Sequence, residues 1–244
     1  MERQLQRLTW LQIRKLVPAR IDTAILPVGT VEAHGATCVG TDNVIPESIA
    51  AGIAERIDAL IAPVISYGIT KSLYRYNGGI TIKPDTFAAY VQDVVDSLAD
   101  SGFKNVFVMN GHGGNNEALK QMAATCHREK RINIAVVHWW ELCGDMTREF
   151  FGHAGGHGGT DETAMVMAAD PQLVDEDAYD PEMAYLFNPG AVVLPVPGPI
   201  ILYRKDEGYP VFDRDLANEY RDKVIATVGE FAETILARWR KWAL

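Results

Sequence analysis

Four short, almost wholly apolar runs separated by segments of helical period predict an α/β domain, with a mostly parallel sheet covered by helices on both faces. The runs are TAILPVG (23–29), LIAPVIS (60–66), NVFVM (105–109) and NIAVVHW (133–139). Each is too continuously apolar for a strand with one wet face, so both faces must be buried. No internal repeat, low-complexity tract or linker breaks the order, and one domain over residues 1–244 is expected.

The elements follow in order. The first run ends at Gly29, and NVIPESIAAGIAERI (43–57) then reads as a helix before the second run. The clearest helix is PDTFAAYVQDVVDSLADSG (84–102). Pro84 opens it, and Phe87, Tyr90, Val91, Val94 and Leu98 fall on one face at i, i+3, i+4, i+7 and i+11. Gly102 suits the position just past its end. EALKQMAATCHREK (117–130) links the third run to the fourth as another helix. Residues 188–211 are rich in Gly and Pro and read as a long loop, with strand pieces at AVVLPV and IILY. Residues 213–242 read as a long amphipathic helix ending in ARWRKW.

Hydrophobic residues make up 48% of the chain, which allows a substantial core and excludes a disordered protein. The net charge of −9 argues against nucleic acid, because phosphate binding needs clustered Lys and Arg. It suits cations. Cys38, Cys126 and Cys143 are odd in number, widely spaced and form no C-x-x-C pair, so a reducing cytoplasm is expected. The first twenty residues mix charge with apolar residues and lack the apolar core of a secretion signal. No stretch approaches the roughly 20 apolar residues of a membrane helix. The expected partner is a small-molecule substrate, not a membrane or a nucleic acid.

Ligands of parallel sheets bind beyond the carboxyl ends of the strands, which marks the loops after residues 29 and 109. The first, GTVEAHGATCVGTDN (29–43), holds Glu32, His34 and Asp42. The second, NGHGGNNE (110–117), carries His112 on a nearly bare backbone. A third glycine-rich segment, GHAGGHGGTDETAMVM (152–167), holds His153 and His157 and runs into an apolar helix with Glu162. Each has an ordinary reading alone: a histidine in a turn, or Asp42, Thr160, Asp161 and Thr163 as helix caps. Together the three segments hold four of the six histidines, plus Glu32, Asp42 and Glu162. That is the donor set of a divalent transition metal, and two metals need a bridging carboxylate.

The stretches LPVGTVEAHGATCVGTDN, NGHGGN and HGGTDETA, in this order over residues 26–164, resemble the motifs of the creatininase (creatinine amidohydrolase) family. The match is to a member with the NGHGGN loop rather than to creatininase itself. The resemblance implies a three-layer α/β/α sandwich and a metal-dependent hydrolase with two divalent ions, zinc or manganese, with iron as a third option. It also implies a homo-oligomer, a hexamer built from smaller units. Carried over by residue, Glu32 and His112 bind one metal, His34 binds the other, and Asp42 bridges them. His157 assists proton transfer, because it alone of the two nearby histidines has a Glu five residues on. Creatininase has a Glu two residues after its loop histidine, where this chain has Gly114, so Glu162 becomes the candidate for the missing acid.

Four residues are substrate-contact candidates. Gly113 offers bare backbone. Trp140 follows Trp139, and on a continuing strand only one of the two would face a pocket. Tyr74 and Arg75 lie in KSLYRYNGGITI (71–82) with Tyr76. Cys38 is either a lining residue or a small buried one. The implied reaction is hydrolysis of a small cyclic amide or related carbonyl compound by water activated between two metals. The alternatives are ring opening of a cyclic ketone sugar of the dehydro-inosose type, or a non-catalytic metal- or ligand-binding protein on the same fold.

Overall fold

A computed structural model of the chain describes residues 1–243. The elements run α1 (Trp10–Leu16), β1 (Thr23–Val28), α2 (Thr41–Ile53), β2 (Ala59–Ile61), α3 (Pro84–Asp100), β3 (Asn105–Asn110), α4 (Asn116–Lys130) and β4 (Asn133–His138). They continue as α5 (Trp139–Leu142), α6 (Gly144–Phe151), α7 (Thr160–Ala169), β5 (Ala184–Leu186), β6 (Ile200–Leu202) and α8 (Arg214–Trp242).

The central sheet has the order β2-β1-β3-β4 and is parallel throughout. Alternate residues feed its two sides, as strand geometry requires. Ile25, Phe107, Met109 and Val137 pack with α2, α7 and α8, while Ala24, Leu26, Val28, Val106 and Val108 pack with α3 and α4. The result is the expected three-layer α/β/α sandwich. Register sets where the loops emerge. Val28 pairs with Asn110, and Asn110 with His138, so three strands end in one row. Their loops therefore open at one edge.

Several boundaries differ from the sequence reading, each for a physical reason. The second strand is only Ala59–Ile61, because Pro63 has no N–H to offer the ladder; pairing resumes as a single bridge from Ile65 to Val28. The helix expected from residue 43 begins at Thr41, with Gly40 as its N-cap. Asp42 thus lies inside the first turn and is no cap. The fourth strand stops at His138, and both tryptophans sit on the short turn of α5. AVVLPV is not a strand. Val192 is 90% exposed and Leu194 66%, so this segment has no face to bury. Its neighbours instead form a separate two-stranded sheet, with β5 parallel to β6. The C-terminal helix starts as expected, capped by Asp213, which accepts from the Asp215 and Leu216 amides.

Candidate metal centre

Six side chains meet at the carboxyl edge of the sheet. The loop after β1 brings Glu32 and His34, the first turn of α2 brings Asp42, and the loop after β3 brings His112. The glycine-rich loop before α7 brings His157, and α7 itself brings Glu162. All are buried except His157, which is half-buried.

Asp42 is at the centre. Its Oδ1 lies 2.9 Å from His34 Nε2 and its Oδ2 lies 2.8 Å from His112 Nδ1. His112 Nδ1 is also 3.3 Å from Glu32 Oε1, and His34 Nε2 is 3.7 Å from Glu162 Oε2. Two overlapping donor groups result: Glu32, Asp42 and His112, and His34, Asp42 and Glu162, the donors of each within 4.8 Å of one another. Glu32, His34 and His157 make a third such group.

The histidines are aimed by their outer nitrogens. His34 Nδ1 lies 3.1 Å from the Glu32 carbonyl oxygen, His112 Nε2 lies 3.0 Å from that of Ile69, and His157 Nε2 lies 2.8 Å from that of Ala33. A carbonyl only accepts, so the facing nitrogen carries the hydrogen and a neutral ring turns its lone pair inward. His34 Nε2 and Asp42 Oδ2 are buried and make no hydrogen bond among the described residues, despite neighbours at 2.9 and 2.8 Å. They have the separation of partners without the angles. Converging lone pairs on buried carboxylates and imidazoles fit a pair of divalent cations, which would offset the cost of burying these charges.

Without cations the cluster draws protons. Burial opposes charge on His34, but the nearby Asp42 and the other carboxylates outweigh it and lift its pKa to about 10. His112 is likewise opposed by burial and lifted to about 9, chiefly by Glu32 and Asp42. Asp42 itself, despite burial, is held below the usual carboxylate range by His34 and His112. Burial raises Glu162 to about 8. His157 goes the other way: burial, then the charge on His34, push it down to about 3. The cluster thus holds positive charge at His34 and His112 and keeps one imidazole, His157, neutral with Nδ1 3.6 Å from Glu32.

The bare NGHGGN loop has a steric cause. A Cβ on Gly111 would lie 2.1 Å from the Asp42 carbonyl oxygen, which Pro46 cannot take up because it has no N–H. A Cβ on Gly114 would lie 2.2 Å from the Ile69 carbonyl oxygen and 2.4 Å from His112 Nε2. A Glu at 114 does not fit this loop path, and the acid near His34 comes from Glu162 instead. Two loop residues escaped the sequence reading. Asn115 donates to the Gly29 carbonyl and accepts from the amide of Ile69, the residue whose carbonyl faces His112 Nε2. Asn110 Oδ1 accepts the His112 amide. An Asn that ends a glycine loop was their only signal.

The cluster floors a cavity of about 1020 Å³. Trp140 and Gly113 line it, whereas Trp139 is in the core. Tyr74 and Arg75 do not line it. A tight turn, closed by the Tyr76 amide on the Leu73 carbonyl, carries them outward, and Arg75 reaches the Tyr74 hydroxyl there. Ser72 and Leu73 line the wall in their place. Cys38 is half-buried and outside the lining. His153 lines the wall, as do Asp161, Arg148, Phe187 and Tyr203, which no local pattern marked.

The family model for creatininase, described as creatinine amidohydrolase, matches residues 6–203. The creatinine amidohydrolase of Pseudomonas putida is 31% identical over 190 residues, covering 70% of this chain and 73% of that protein. A mycofactocin precursor peptide peptidase of Mycobacterium ulcerans is 28% identical over 173 residues, 66% of this chain and 64% of its own length. A crystal structure of creatinine amidohydrolase superposes with a TM-score of 0.79 at 25% identity, over 96% of both chains. Creatininase structures of the same similarity include a Zn–Zn form and a Mn form, with TM-scores of 0.77 and 0.79.

Proposed function

The chain belongs to the creatininase family of metal-dependent amidohydrolases, and from that premise we propose that it hydrolyses a small cyclic amide or related carbonyl compound. The observation that carries this reading is Asp42, whose two oxygens serve two donor groups at the floor of one cavity. Glu32, His112 and one Asp42 oxygen would hold one divalent ion; His34, Glu162 and the other oxygen would hold the second. The Zn–Zn and Mn forms of solved relatives support zinc or manganese, with iron as a further option. Such a pair of ions, when bound, acidifies water and polarises a carbonyl oxygen.

The chain's own residues do the rest. His157, neutral and with Nδ1 facing Glu32, takes a proton from the attacking water and passes it to the leaving nitrogen. Gly113 and Trp140 line the cavity side by side, the Trp140 ring edge 3.8 Å from where a Gly113 Cβ would be, and both would contact the substrate. We propose further that the chain works as a homo-hexamer, in which exposed apolar residues such as Val192 and Leu194 are covered.

The test is elemental analysis of protein prepared without chelator, then assay on cyclic amides, open formamides and cyclic ketone sugars. About two divalent ions per chain and preference for a cyclic amide are expected. Preference for the ketone overturns the substrate class. Bound metal with no turnover on any of the three favours a binding protein.

A further inference from the structure

Asp161 is buried in the wall of the same cavity, yet it belongs to none of the donor groups found among the described residues. Its contacts run to the loop instead. Oδ1 accepts the amide N–H of Gly156 at 3.0 Å, the residue just before His157. A Cβ on Gly155 would lie 2.0 Å from the Asp161 carboxyl carbon, so the Gly155 backbone rests directly on the carboxylate. Two consecutive glycines would otherwise make this segment a free hinge.

The far side of the loop is held too. The Ile201 amide donates to the His157 carbonyl at 2.8 Å, and the Thr160 amide donates to the Gly208 carbonyl at 2.9 Å. The imidazole is the last link, with Nε2–H donating to the Ala33 carbonyl. His157 is thus pinned behind by β6 and at its ring by the loop after β1. Ahead of it, Gly156 is held at its carbonyl by the Gly159 amide, 2.9 Å away, and at its own amide by the Asp161 side chain.

We infer that Asp161 is a positioning residue that holds the Gly155–Gly156 turn through the Gly156 amide, and so keeps His157 in one ring orientation and one tautomer. The inference rests on His157 as the proton-transfer group. Loss of the Asp161 acceptor frees the glycine hinge and relaxes the Nε2–H contact with Ala33. The ring then samples both tautomers, and Nδ1 no longer stays beside Glu32. Asp161 itself belongs to no donor group among the described residues, and Glu162, which does, keeps its own hydrogen bond from the Gly158 amide.

The experiment reads the ring directly. In zinc-loaded, ¹⁵N-histidine-labelled protein, His157 is expected to show a protonated Nε2 and a bare Nδ1. Asp161→Ala should average these signals and lower kcat about 10- to 100-fold, the scale of outer-shell partners, with KM and zinc content unchanged. Asp161→Asn keeps an acceptor oxygen of the same reach and should restore both the ring signals and the rate. Asp161→Thr, which cannot reach Gly156, replaces the alanine variant if that fails to fold. A lower melting temperature with unmoved ring signals would make Asp161 a merely structural residue and overturn the inference. Asn and Ala variants that fail alike would also overturn it, since charge rather than the hydrogen bond would then be operating. If His157→Ala leaves turnover intact, the proton-transfer reading fails, and the ring signals still decide whether Asp161 holds His157.

Discussion

Asp42 shows how much one side chain can be asked to do. Its two oxygens face nitrogens on different loops, so Asp42→Ala should abolish binding of both ions rather than one, as read by metal stoichiometry. Retention of a full complement of metal would mean that Asp42 bridges nothing. Glu162 and His157 should separate in the same assay. Glu162→Ala removes a donor facing His34, so one ion should be lost and excess metal should restore some rate. His157→Ala should keep metal and lose about 10²- to 10⁴-fold in turnover, the usual contribution of a general acid or base. Metal loss on His157→Ala would reverse the two roles. Gly114 tests the steric argument. Gly114→Glu introduces the acid that the family resemblance leads one to expect at this position, but its Cβ meets Ile69 and the His112 ring. The variant should bind metal more weakly than the parent, and tighter binding would show that the loop can re-route.

Elements supply the positions these residues occupy. The common register of β1, β3 and β4 delivers two of the loops to one edge, and α7, buried along Thr160–Met167, delivers the third. α8 covers α7 from outside and starts at a true cap. Asp213→Ala removes an acceptor for two amides and should cost about 1 kcal/mol. In a chain of this size that is a fall of about 2–4 °C in Tm, with metal content unchanged. Asp213 and Asp42 both stand at helix starts, and the pair of variants distinguishes an acid that caps from an acid that faces a cluster. Loss of metal from Asp213→Ala would erase that distinction.

The charge of the whole cluster couples metal to protons. In metal-free protein at pH 7, His34, with a pKa of about 10, and His112, at about 9, are protonated, and so is Glu162, at about 8. Metal must displace these protons, so the calorimetric heat of binding should depend on the buffer and affinity should rise toward pH 9. The histidine pKa values lie above the ordinary 6.5, so their contribution to metal-free stability is full below pH 6.5 and is lost as pH rises through 9–10. Chelated protein should therefore melt lower at pH 9 than at pH 6.5; buffer-independent binding heats would contradict this account. Assembly is read by light scattering. A hexamer at micromolar concentration is expected, and a monomer removes the proposed role of the exposed 192–194 segment.

The fold class was legible because its signals are local. Apolar runs that stay apolar at every position, helices with a period near 3.6, and Gly or Pro at the joins are properties of short windows. The three glycine-rich loops were legible for the same reason, since a strand that stops in Gly and His already suggests a presented ligand. Other features were decided by contact between distant segments. Pro63 ends β2 early, and the start of α2 at Thr41 puts Asp42 inside the first turn, where it is no cap and its carboxylate faces His34 and His112. The stop of β4 at His138 puts Trp139 in the core and Trp140 on the cavity wall. The turn after Leu73 takes Tyr74 and Arg75 away from it. Asp161 is the clearest case. Beside Glu162 in sequence it reads as a helix-start acid, and only the folded Gly155–Gly156 backbone shows what its carboxylate holds. Periodicity and turn chemistry act over a few residues and can be read along the chain. Where a side chain points at the end of a strand depends on which remote peptide, here those of Ile69, Ala33 and Ile201, comes to meet it.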